Sequence, residues 1–272
     1  MDNLFSVENK SVVITGGAGV LCSAMAMSLV KAGAKVCILD SNIKAAESLC
    51  KQIKPDGCPA IAKKADVLKK EELEDALKMV IEKLGVIDIL INGAGGNKKE
   101  ATTSENQSFF DIDPAALRWV IDLNLLGIVF PCQVFGSQMA KQGKGIIINI
   151  SSMNAFRPLT NVAAYSAAKA AVSNFTQWLA VYMCRNYSKH IRINAIAPGF
   201  FLTEQNRFLL TDEKNGELTE RGKTIIEHTP MSRFGEPCDL IGTLLWLISD
   251  ASKFVTGAVI PVDGGFNAFS GV

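Results

Sequence analysis

The 272-residue sequence lacks a strong imbalance of charge. Its 28 Lys and Arg residues nearly balance 27 Asp and Glu residues, for a formal net charge of +1, and like charges are not clustered. A nucleic-acid groove or an anionic membrane surface requires a basic cluster on the protein. We therefore expect no nucleic-acid partner and no membrane partner, and we expect the ligand to be a small molecule.

The sequence also lacks paired cysteine motifs and membrane-length apolar runs. The seven cysteines are scattered and never spaced CxxC, which argues against a disulfide framework and a zinc site. We expect small buried thiols in a reducing compartment and no bound metal. The N-terminus carries acidic groups, and apolar stretches fall short of the roughly 18 residues of a membrane span, which favours a cytoplasmic protein. The cysteines are Cys22, Cys37, Cys50, Cys58, Cys132, Cys184 and Cys238.

What the sequence does contain is an alternation of short β-branched runs and longer segments with helical spacing. The runs are continuously apolar, as strands covered on both faces are. This pattern predicts βαβ units and one domain spanning 1–272, a Rossmann-type α/β fold whose doubly wound parallel sheet has about seven strands. The predicted strands are 11–15, 35–40, 60–64, 86–92, 145–151, 191–197 and 258–262. The predicted helices are 24–30, 43–53, 71–84, 114–139, 163–187 and 237–248.

Two segments, 93–113 and 198–235, do not fit this alternation. Loops of that length in a compact domain are usually functional. We expect both to shape a substrate site at the carboxyl edge of the sheet, the second as a lid.

A glycine-rich turn follows the first predicted strand and opens a helix. Glycines there permit a tight turn and let backbone amides approach a pyrophosphate at the helix N-terminus. Such a turn alone is weak evidence, but Asp40 ends the next strand about twenty residues later, as in a dinucleotide site. The turn reads Thr15, Gly16, Gly17, Ala18, Gly19, Val20, Leu21 and Cys22.

Asp40 predicts which dinucleotide binds. A carboxylate at this place accepts hydrogen bonds from the adenosine ribose and repels a 2′-phosphate, so it favours NAD(H) over NADP(H). The alternative is that Asp40 only caps the helix that begins near Ile43. Two further strand ends, Asp66-Val67 and Asn92-Gly93-Ala94-Gly95, lie on the same side of the predicted sheet.

Three residues have the chemistry of proton transfer to a ketone. Tyr165 and Lys169 are four apart in a helical segment and project from one face, while Ser152 ends the fifth strand at the cofactor edge. Tyrosine, with a pKa near 10, is a poor acid unless an ammonium group stabilises its phenolate. Serine can hold the carbonyl oxygen by a hydrogen bond.

With these features in place, the chain resembles the short-chain dehydrogenase/reductase family over essentially its whole length. The resemblance implies that Tyr165 is the general acid/base, that Lys169 lowers its pKa and binds the nicotinamide ribose, that Ser152 positions substrate, and that Asn124 supports a water relay. The cofactor site it implies comprises Thr15, Gly16, Gly17, Gly19, Val20, Leu21, Asp40, Asp66, Val67, Asn92, Gly93, Ala94, Gly95, Tyr165, Lys169, Pro198, Gly199, Phe201 and Thr203. The terminal VDGG motif at 262–265 also matches.

The chain departs from the family pattern at two positions in the glycine turn. Val20 and Cys22 stand where the pattern TGxxxGxG has its last two glycines. We expect the helix to pack slightly further from the sheet, or the pyrophosphate to shift, with an effect on cofactor affinity.

Longer strings, among them SSMNAF, APGFFLTEQNR and VDGGFNAFSGV, resemble the D-mannonate oxidoreductase (D-fructuronate reductase) branch, close to gluconate 5-dehydrogenase-like members. That resemblance implies a small polar sugar-acid substrate. A polyhydroxy acid needs a cation for its carboxylate and amides or hydroxyls for its hydroxyl groups. Arg157 or Arg207 would bind the carboxylate, and Asn154 with Gln205 would read hydroxyls. The candidate substrate residues are Asn97, Ser152, Asn154, Arg157, Gln205, Asn206 and Arg207.

Two rival interpretations remain at this point. A 3-ketoacyl-carrier or steroid reductase of the same family would need an apolar channel or a basic docking patch, whereas the loops here carry Asn, Gln and Arg. A dinucleotide-sensing regulator could lose the proton chemistry, yet the four residues Asn124, Ser152, Tyr165 and Lys169 are all present. The resemblance also implies a homotetramer.

Overall fold

The computed structural model describes residues 4–53, 60–202, 210–211 and 216–271. Within them, seven parallel strands form one sheet in the order β3-β2-β1-β4-β5-β6-β7. The predicted doubly wound Rossmann-type domain is therefore confirmed. The strands are β1 (Ser11–Thr15), β2 (Lys35–Asp40), β3 (Ala60–Lys64), β4 (Ile89–Asn92), β5 (Gly145–Ile150), β6 (Ile191–Pro198) and β7 (Val259–Val262).

Helices cover both faces of this sheet. Successive strand side chains point to opposite faces, so Val12 and Ile14 of β1 pack into one core while Val13 packs into the other. The first core is closed by α1, α2 and α8, and the second by α3, α5 and α6. The α-helices are α1 (Val20–Lys31), α2 (Ile43–Gln52), α3 (Lys70–Leu84), α4 (Pro114–Ile121), α5 (Gly127–Gln142), α6 (Ala163–Asn186), α7 (Glu220–Glu227) and α8 (Ile241–Ile248).

The structure differs from the sequence prediction in two connections. The helix predicted over 114–139 is two helices joined by a π-helical turn, Asp122–Leu126. The segment 198–235, predicted as a loop, contains α7, whose N-cap Thr219 accepts a hydrogen bond from the Gly222 amide at 3.1 Å. Helix α7 was missed because its sequence, ERGKTIIE, is short and mostly polar.

One helical stretch, Pro114–Gln142, is long and apolar enough to cross a membrane by length and composition alone, contrary to the expectation that apolar stretches are short. Half of its apolar window is buried inside the fold, and α5 packs against β4 and β5. A core helix of a globular domain passes the same test, so the stretch is weak evidence for a membrane span.

The described cysteines are all free thiols. Cys22, Cys37, Cys50 and Cys132 are buried, as expected. The expectation is wrong for Cys184, which is half-buried, and for Cys238, which is exposed within the short 3-10 turn that precedes α8. Cys58 lies outside the described residues. Among the residues placed by the structure, no cluster of three or more His, Cys, Asp or Glu side chains could hold a metal ion.

Candidate active site

The carboxyl ends of β4 and β5 bring the proton-handling residues together. Ser152 follows β5 and caps a short 3-10 turn by accepting from the Asn154 amide at 3.2 Å. Tyr165 and Lys169 lie one turn apart near the start of α6, and the Lys169 ammonium nitrogen is 5.6 Å from the Tyr165 ring centre. The Ser152 hydroxyl lies near enough to the Tyr165 phenol to act on its pKa, which it lowers. The trio predicted from spacing therefore converges on one point of the sheet edge.

Lys169 is the most constrained of the three. Its side chain is only 3% exposed, and its ammonium donates to the Ile150 carbonyl at 2.8 Å. Burial lowers the pKa of Lys169 to about 8, an effect that the nearby Cys22 thiol partly opposes. The fold thus places the positive charge of Lys169 at the end of β5, although removing this charge from water costs free energy.

Tyr165 is half-buried against a small apolar cluster around Ala164 and Val120. Burial raises the pKa of the Tyr165 phenol, and the nearby Ser152 hydroxyl partly offsets the rise. Ionisation of this phenol is therefore favoured by positive charge close to it, and the Lys169 ammonium lies 5.6 Å from its ring centre.

Asn124 is fully buried in the π-helical turn between α4 and α5. Its amide nitrogen donates to the carbonyls of Gly96 at 2.6 Å and Val120 at 2.8 Å, and its Oδ1 accepts from the Gly96 amide at 3.2 Å. A Cβ at Gly95 would lie 2.8 Å from Asn124 Oδ1 and 3.5 Å from Lys169 Nζ. The π-turn, a feature common at functional sites, thus places Asn124 beside Lys169 across one glycine.

The glycine turn forms a cradle against the end of β4. Gly16 has a positive φ of 60°, and a Cβ there would lie 2.7 Å from the Ala94 Cα. Thr15 Oγ1 accepts from the amides of Gly93 and Ala94 at 3.2 and 3.4 Å. Among the described side chains none caps the N-terminus of α1, so its amides remain directed at the space above the turn. These residues fit a dinucleotide pyrophosphate.

Asp40 links this cradle to β2. Its carboxylate accepts from the Ala18 amide at 3.0 Å and from the Asn42 amide at 2.9 Å. The N-cap of α2 is Asn42, whose side chain accepts from Ala45 at 3.2 Å. The alternative in which Asp40 only caps that helix is therefore wrong, because Asp40 instead orients the glycine turn.

The remaining cofactor candidates line the same edge. Asp66 accepts from the Leu68 amide at 3.0 Å, and the next residue, Val67, is buried against Gly127. Gly199 lies against Asp263 at the end of β7, where any side chain would clash. Phe201 is only 4% exposed and packs in the core, so only its backbone is placed to reach a ligand. Thr203 lies outside the described residues.

The substrate candidates occupy different environments. Asn154 is 5% exposed, and its side-chain amide makes no hydrogen bond among the described residues, although it lies next to Ser152 in the same turn. Asn97 is exposed and donates to Thr102 Oγ1 at 3.0 Å. Arg157 is exposed and donates through Nη1 to the Phe269 carbonyl at 3.0 Å. Three candidates, Gln205, Asn206 and Arg207, lie outside the described residues.

The structure explains how Cys22 is accommodated where the family pattern has glycine. A Cβ at Gly93 would lie 2.1 Å from Cys22 Sγ. The thiol thus fills the space that a side chain at position 93 would need, and the two positions are complementary in size. Sequence reasoning treated Cys22 and Gly93 as separate features, because their contact joins α1 to the end of β4.

This complementarity predicts the outcome of a double-mutant cycle. Gly93→Ala should lower the free energy of unfolding by about 2 kcal/mol, because the new methyl group overlaps the buried thiol. Cys22→Ala removes the sulfur, and the Cys22→Ala/Gly93→Ala variant should recover at least half of the loss. Urea unfolding of the unaltered enzyme, the two single variants and the double variant measures the loss and the recovery of free energy. Equal destabilisation by Gly93→Ala with and without the thiol would contradict the contact.

Comparisons with known proteins agree with this geometry. The family model for short chain dehydrogenases matches residues 10–214. The crystal structure of a Haemophilus influenzae protein with bound NAD, provisionally assigned as a D-mannonate oxidoreductase, is 47% identical, with a TM-score of 0.91 over 98% of both chains. Two Escherichia coli K12 relatives are each 32% identical over 97% of this chain: a 5-keto-D-gluconate 5-reductase (98% of its length) and a 7alpha-hydroxysteroid dehydrogenase (96% of its length).

The extent of these matches, together with the cradle beside Asp40 and the convergence of Ser152, Tyr165 and Lys169, fixes the family and the cofactor. The chain belongs to the short-chain dehydrogenase/reductase family and is an NAD(H)-dependent oxidoreductase acting on CH-OH groups.

Proposed function

We propose that this enzyme interconverts a hydroxyl group and a ketone of a small sugar acid, with D-mannonate and D-fructuronate as the substrate pair. The observation that carries the proposal is the side-chain amide of Asn154, a residue that is 5% exposed and lies beside Ser152, because this amide makes no hydrogen bond among the described residues and is free to bind a substrate hydroxyl. The similarity to the provisionally assigned D-mannonate oxidoreductase supports it. A 5-ketogluconate reductase activity is the second candidate, since the Escherichia coli relative acts on that acid.

In this proposal the chain's own residues handle the proton. Ser152 holds the substrate oxygen by a hydrogen bond, and Tyr165 donates a proton to that oxygen in reduction or accepts it in oxidation. The Lys169 ammonium stabilises the Tyr165 phenolate. Asn124, held beside Lys169 by Gly96, positions the water that returns the proton. When bound, NAD(H) supplies or takes up the hydride.

The cofactor and substrate are held from opposite ends of the sheet edge. The glycine turn and Asp40 bind the adenosine and pyrophosphate side, with Lys169 near the nicotinamide ribose. Arg157 or Arg207 binds the substrate carboxylate, and Asn97, Asn154, Gln205 and Asn206 read its hydroxyls. The segment 198–235, which includes α7, closes over this pocket as a lid.

A substrate panel tests the proposal. Hexonates, ketouronates, 5-ketogluconate, a 3-ketoacyl thioester and a 7-oxo steroid are assayed with NAD(H) and NADP(H) side by side. The expected result is a kcat/KM for fructuronate and mannonate at least tenfold above that for every other class. Strong turnover of the thioester or the steroid alone would overturn the sugar-acid assignment.

The Asn154→Ala variant should raise KM for the sugar acid about tenfold with a smaller change in kcat, because one hydrogen bond to the substrate is lost in both ground and transition states. Steady-state kinetics with fructuronate and NADH measures the split. Asn186→Ala, which alters an exposed amide at the end of α6, is the matched control. Identical kinetics for both variants would remove Asn154 from the substrate site.

Asp40 governs the choice between NAD(H) and NADP(H). Asp40→Asn keeps an oxygen acceptor for the Ala18 amide but loses the negative charge that repels a 2′-phosphate. We expect the NADPH-to-NADH ratio of kcat/KM to rise at least tenfold. Asp66→Asn, a neighbouring strand-end carboxylate, should leave the ratio within about twofold. A ratio unmoved by Asp40→Asn would contradict this assignment.

We further propose that the enzyme is a cytoplasmic homotetramer. Phe175, Trp178, Tyr182 and Tyr187 form a chain of ring contacts along α6, and Trp178 is 56% exposed. A contiguous exposed aromatic surface of this kind favours helix pairing between subunits. Size-exclusion chromatography with light scattering measures the assembly.

A further inference from the structure

The segment that follows β7, residues 264–271, crosses the carboxyl edge of the sheet instead of leaving it. Asp263 starts the segment by accepting from the amides of Gly265 at 3.0 Å and Asn267 at 2.8 Å. The Phe269 amide then donates to the Gly265 carbonyl at 3.1 Å. These bonds give residues 264–271, hereafter the strap, a defined shape and direction.

Aromatic contacts tie the strap to β6 and to the lid. The ring of Phe266 meets Phe200, two residues beyond β6, edge to face at 5.2 Å between centres. His228, directly after α7, contacts Phe266 at 6.5 Å and Phe269 at 6.3 Å. The Met231 amide also donates to the Gly264 carbonyl at 3.1 Å. The strap is therefore packed against the lid.

Arg157 ties the far end of the strap to the catalytic loop. It lies five residues beyond Ser152, and its amide donates to the Met153 carbonyl at 3.1 Å. Its guanidinium donates to the Phe269 carbonyl at 3.0 Å. Because β6 separates β7 from β5 in the sheet, this bond shows that the strap spans from β7 past β6 to the loop that carries Ser152.

The hydrogen bond from Arg157 to the Phe269 carbonyl, hereafter the latch, is weak enough to be released. Arg157 and Ser270, the residue that follows Phe269, are both exposed. A hydrogen bond that is exposed to solvent contributes about 1 kcal/mol to stability. Phe266 and Phe269 are half-buried, and when the Arg157 bond is lost the far end of the strap keeps the contact of Phe269 with His228 and its bond to Gly265. Small changes at Arg157 should therefore change how long the strap stays in place.

We propose that the strap is the wall that limits substrate size, and that Arg157 is the positioning residue that keeps it against the Ser152 loop. This rests on the proposed function, since a sugar acid is a small substrate, whereas a fused-ring alcohol is too large to pass a wall at this position. The role is independent of any contact between Arg157 and the substrate carboxylate, because only Nη1 is used in the latch.

Hydrogen exchange tests the latch without any substrate. In Arg157→Gln, the amides of residues 266–269 should exchange at least fivefold faster than in the unaltered enzyme. Arg157→Lys, which retains a cationic donor, should restore most of the protection, and Arg185→Gln, an exposed arginine at the end of α6, should change nothing. Unchanged exchange in Arg157→Gln would overturn the latch.

Kinetics tests the wall. The ratio of kcat/KM for a 7-oxo steroid to that for fructuronate should rise at least tenfold in Phe266→Ala/Phe269→Ala and in a chain ending at Gly265, with thermal unfolding checking that each variant is folded. In Arg157→Gln the steroid is compared with diacetyl, which has no carboxylate, and the ratio should rise by the same factor. A constant ratio in all three folded variants would overturn the wall. If no sugar acid is turned over, the proposed function fails by itself, and the steroid is then compared with diacetyl, a small diketone, so that the wall is still decided.

Discussion

The Tyr165→Phe variant is expected to lose about 10³-fold in kcat while still binding NADH, because it removes one oxygen atom and with it the proton that reaches the substrate. The ring keeps its packing against the cluster around Ala164 and Val120, so the fold should be unaffected. Single-turnover NADH oxidation with fructuronate measures the loss, and NADH fluorescence titration measures binding.

Tyr182→Phe is the matched control for this experiment. Tyr182 lies on the same helix, is 38% exposed and stacks on Trp178 away from the site. Its variant should keep kcat within about twofold. Retention of more than a tenth of the activity by Tyr165→Phe would show that another group donates the proton. Intact NADH binding without turnover would also exclude the interpretation of the chain as a dinucleotide sensor with no chemistry of its own.

The strands could be predicted from the sequence because burial on both faces leaves a local signature. β1, β4 and β6 are buried at every position, and strands covered on both faces consist mostly of apolar residues. Tyr165 and Lys169 could be placed together for a similar reason, since four residues along a helix return to the same face. Both inferences depend on neighbours within a few residues.

What escaped prediction depends on contacts between distant segments. The π-helical turn at Asp122–Leu126 has the composition of an ordinary helix, and only its contact with Gly96 distinguishes it. Cys22 contacts Gly93, and Arg157 binds the Phe269 carbonyl. The partners in each pair are far apart in the sequence, so helix or strand periodicity does not predict their contact. The charge of Arg157 predicts an anionic partner, and it gives no information about the Phe269 carbonyl that Arg157 binds.

Lys169 shows how a candidate active-site residue departs from the usual rules of burial. A lysine that is 3% exposed ordinarily destabilises a protein core, because a buried ammonium costs free energy unless it is paired with an opposite charge and hydrogen-bonded. Here Lys169 has one carbonyl acceptor, Ile150, and an apolar environment that lowers its pKa to about 8. The fold therefore carries a destabilising charge beside the Tyr165 ring, where the proposed proton transfer requires a cation.

Lys169→Met should consequently make the protein more stable and nearly inactive. With an ordinary pKa of 10.5 and a folded value of about 8, charging Lys169 costs the folded state about 3 kcal/mol at pH 7. Removal of the ammonium also loses the bond to Ile150, so we expect a net gain of about 2 kcal/mol in the free energy of unfolding. The kcat should fall about 10²-fold, because the phenolate loses its cation.

The pH dependence gives this prediction its sign. Between pH 8 and 10.5 the folded enzyme has released the Lys169 proton while the unfolded chain still binds it, so the contribution of Lys169 to the free energy of unfolding rises with pH across that window. Lys169→Met lacks this rise, and its advantage should be full below pH 8 and largely gone by pH 10.5. Urea unfolding of both cofactor-free proteins at pH 7, 9 and 10.5 measures the difference. If the difference in free energy of unfolding between the two proteins stays constant or increases with pH, the charge on Lys169 does not destabilise the fold.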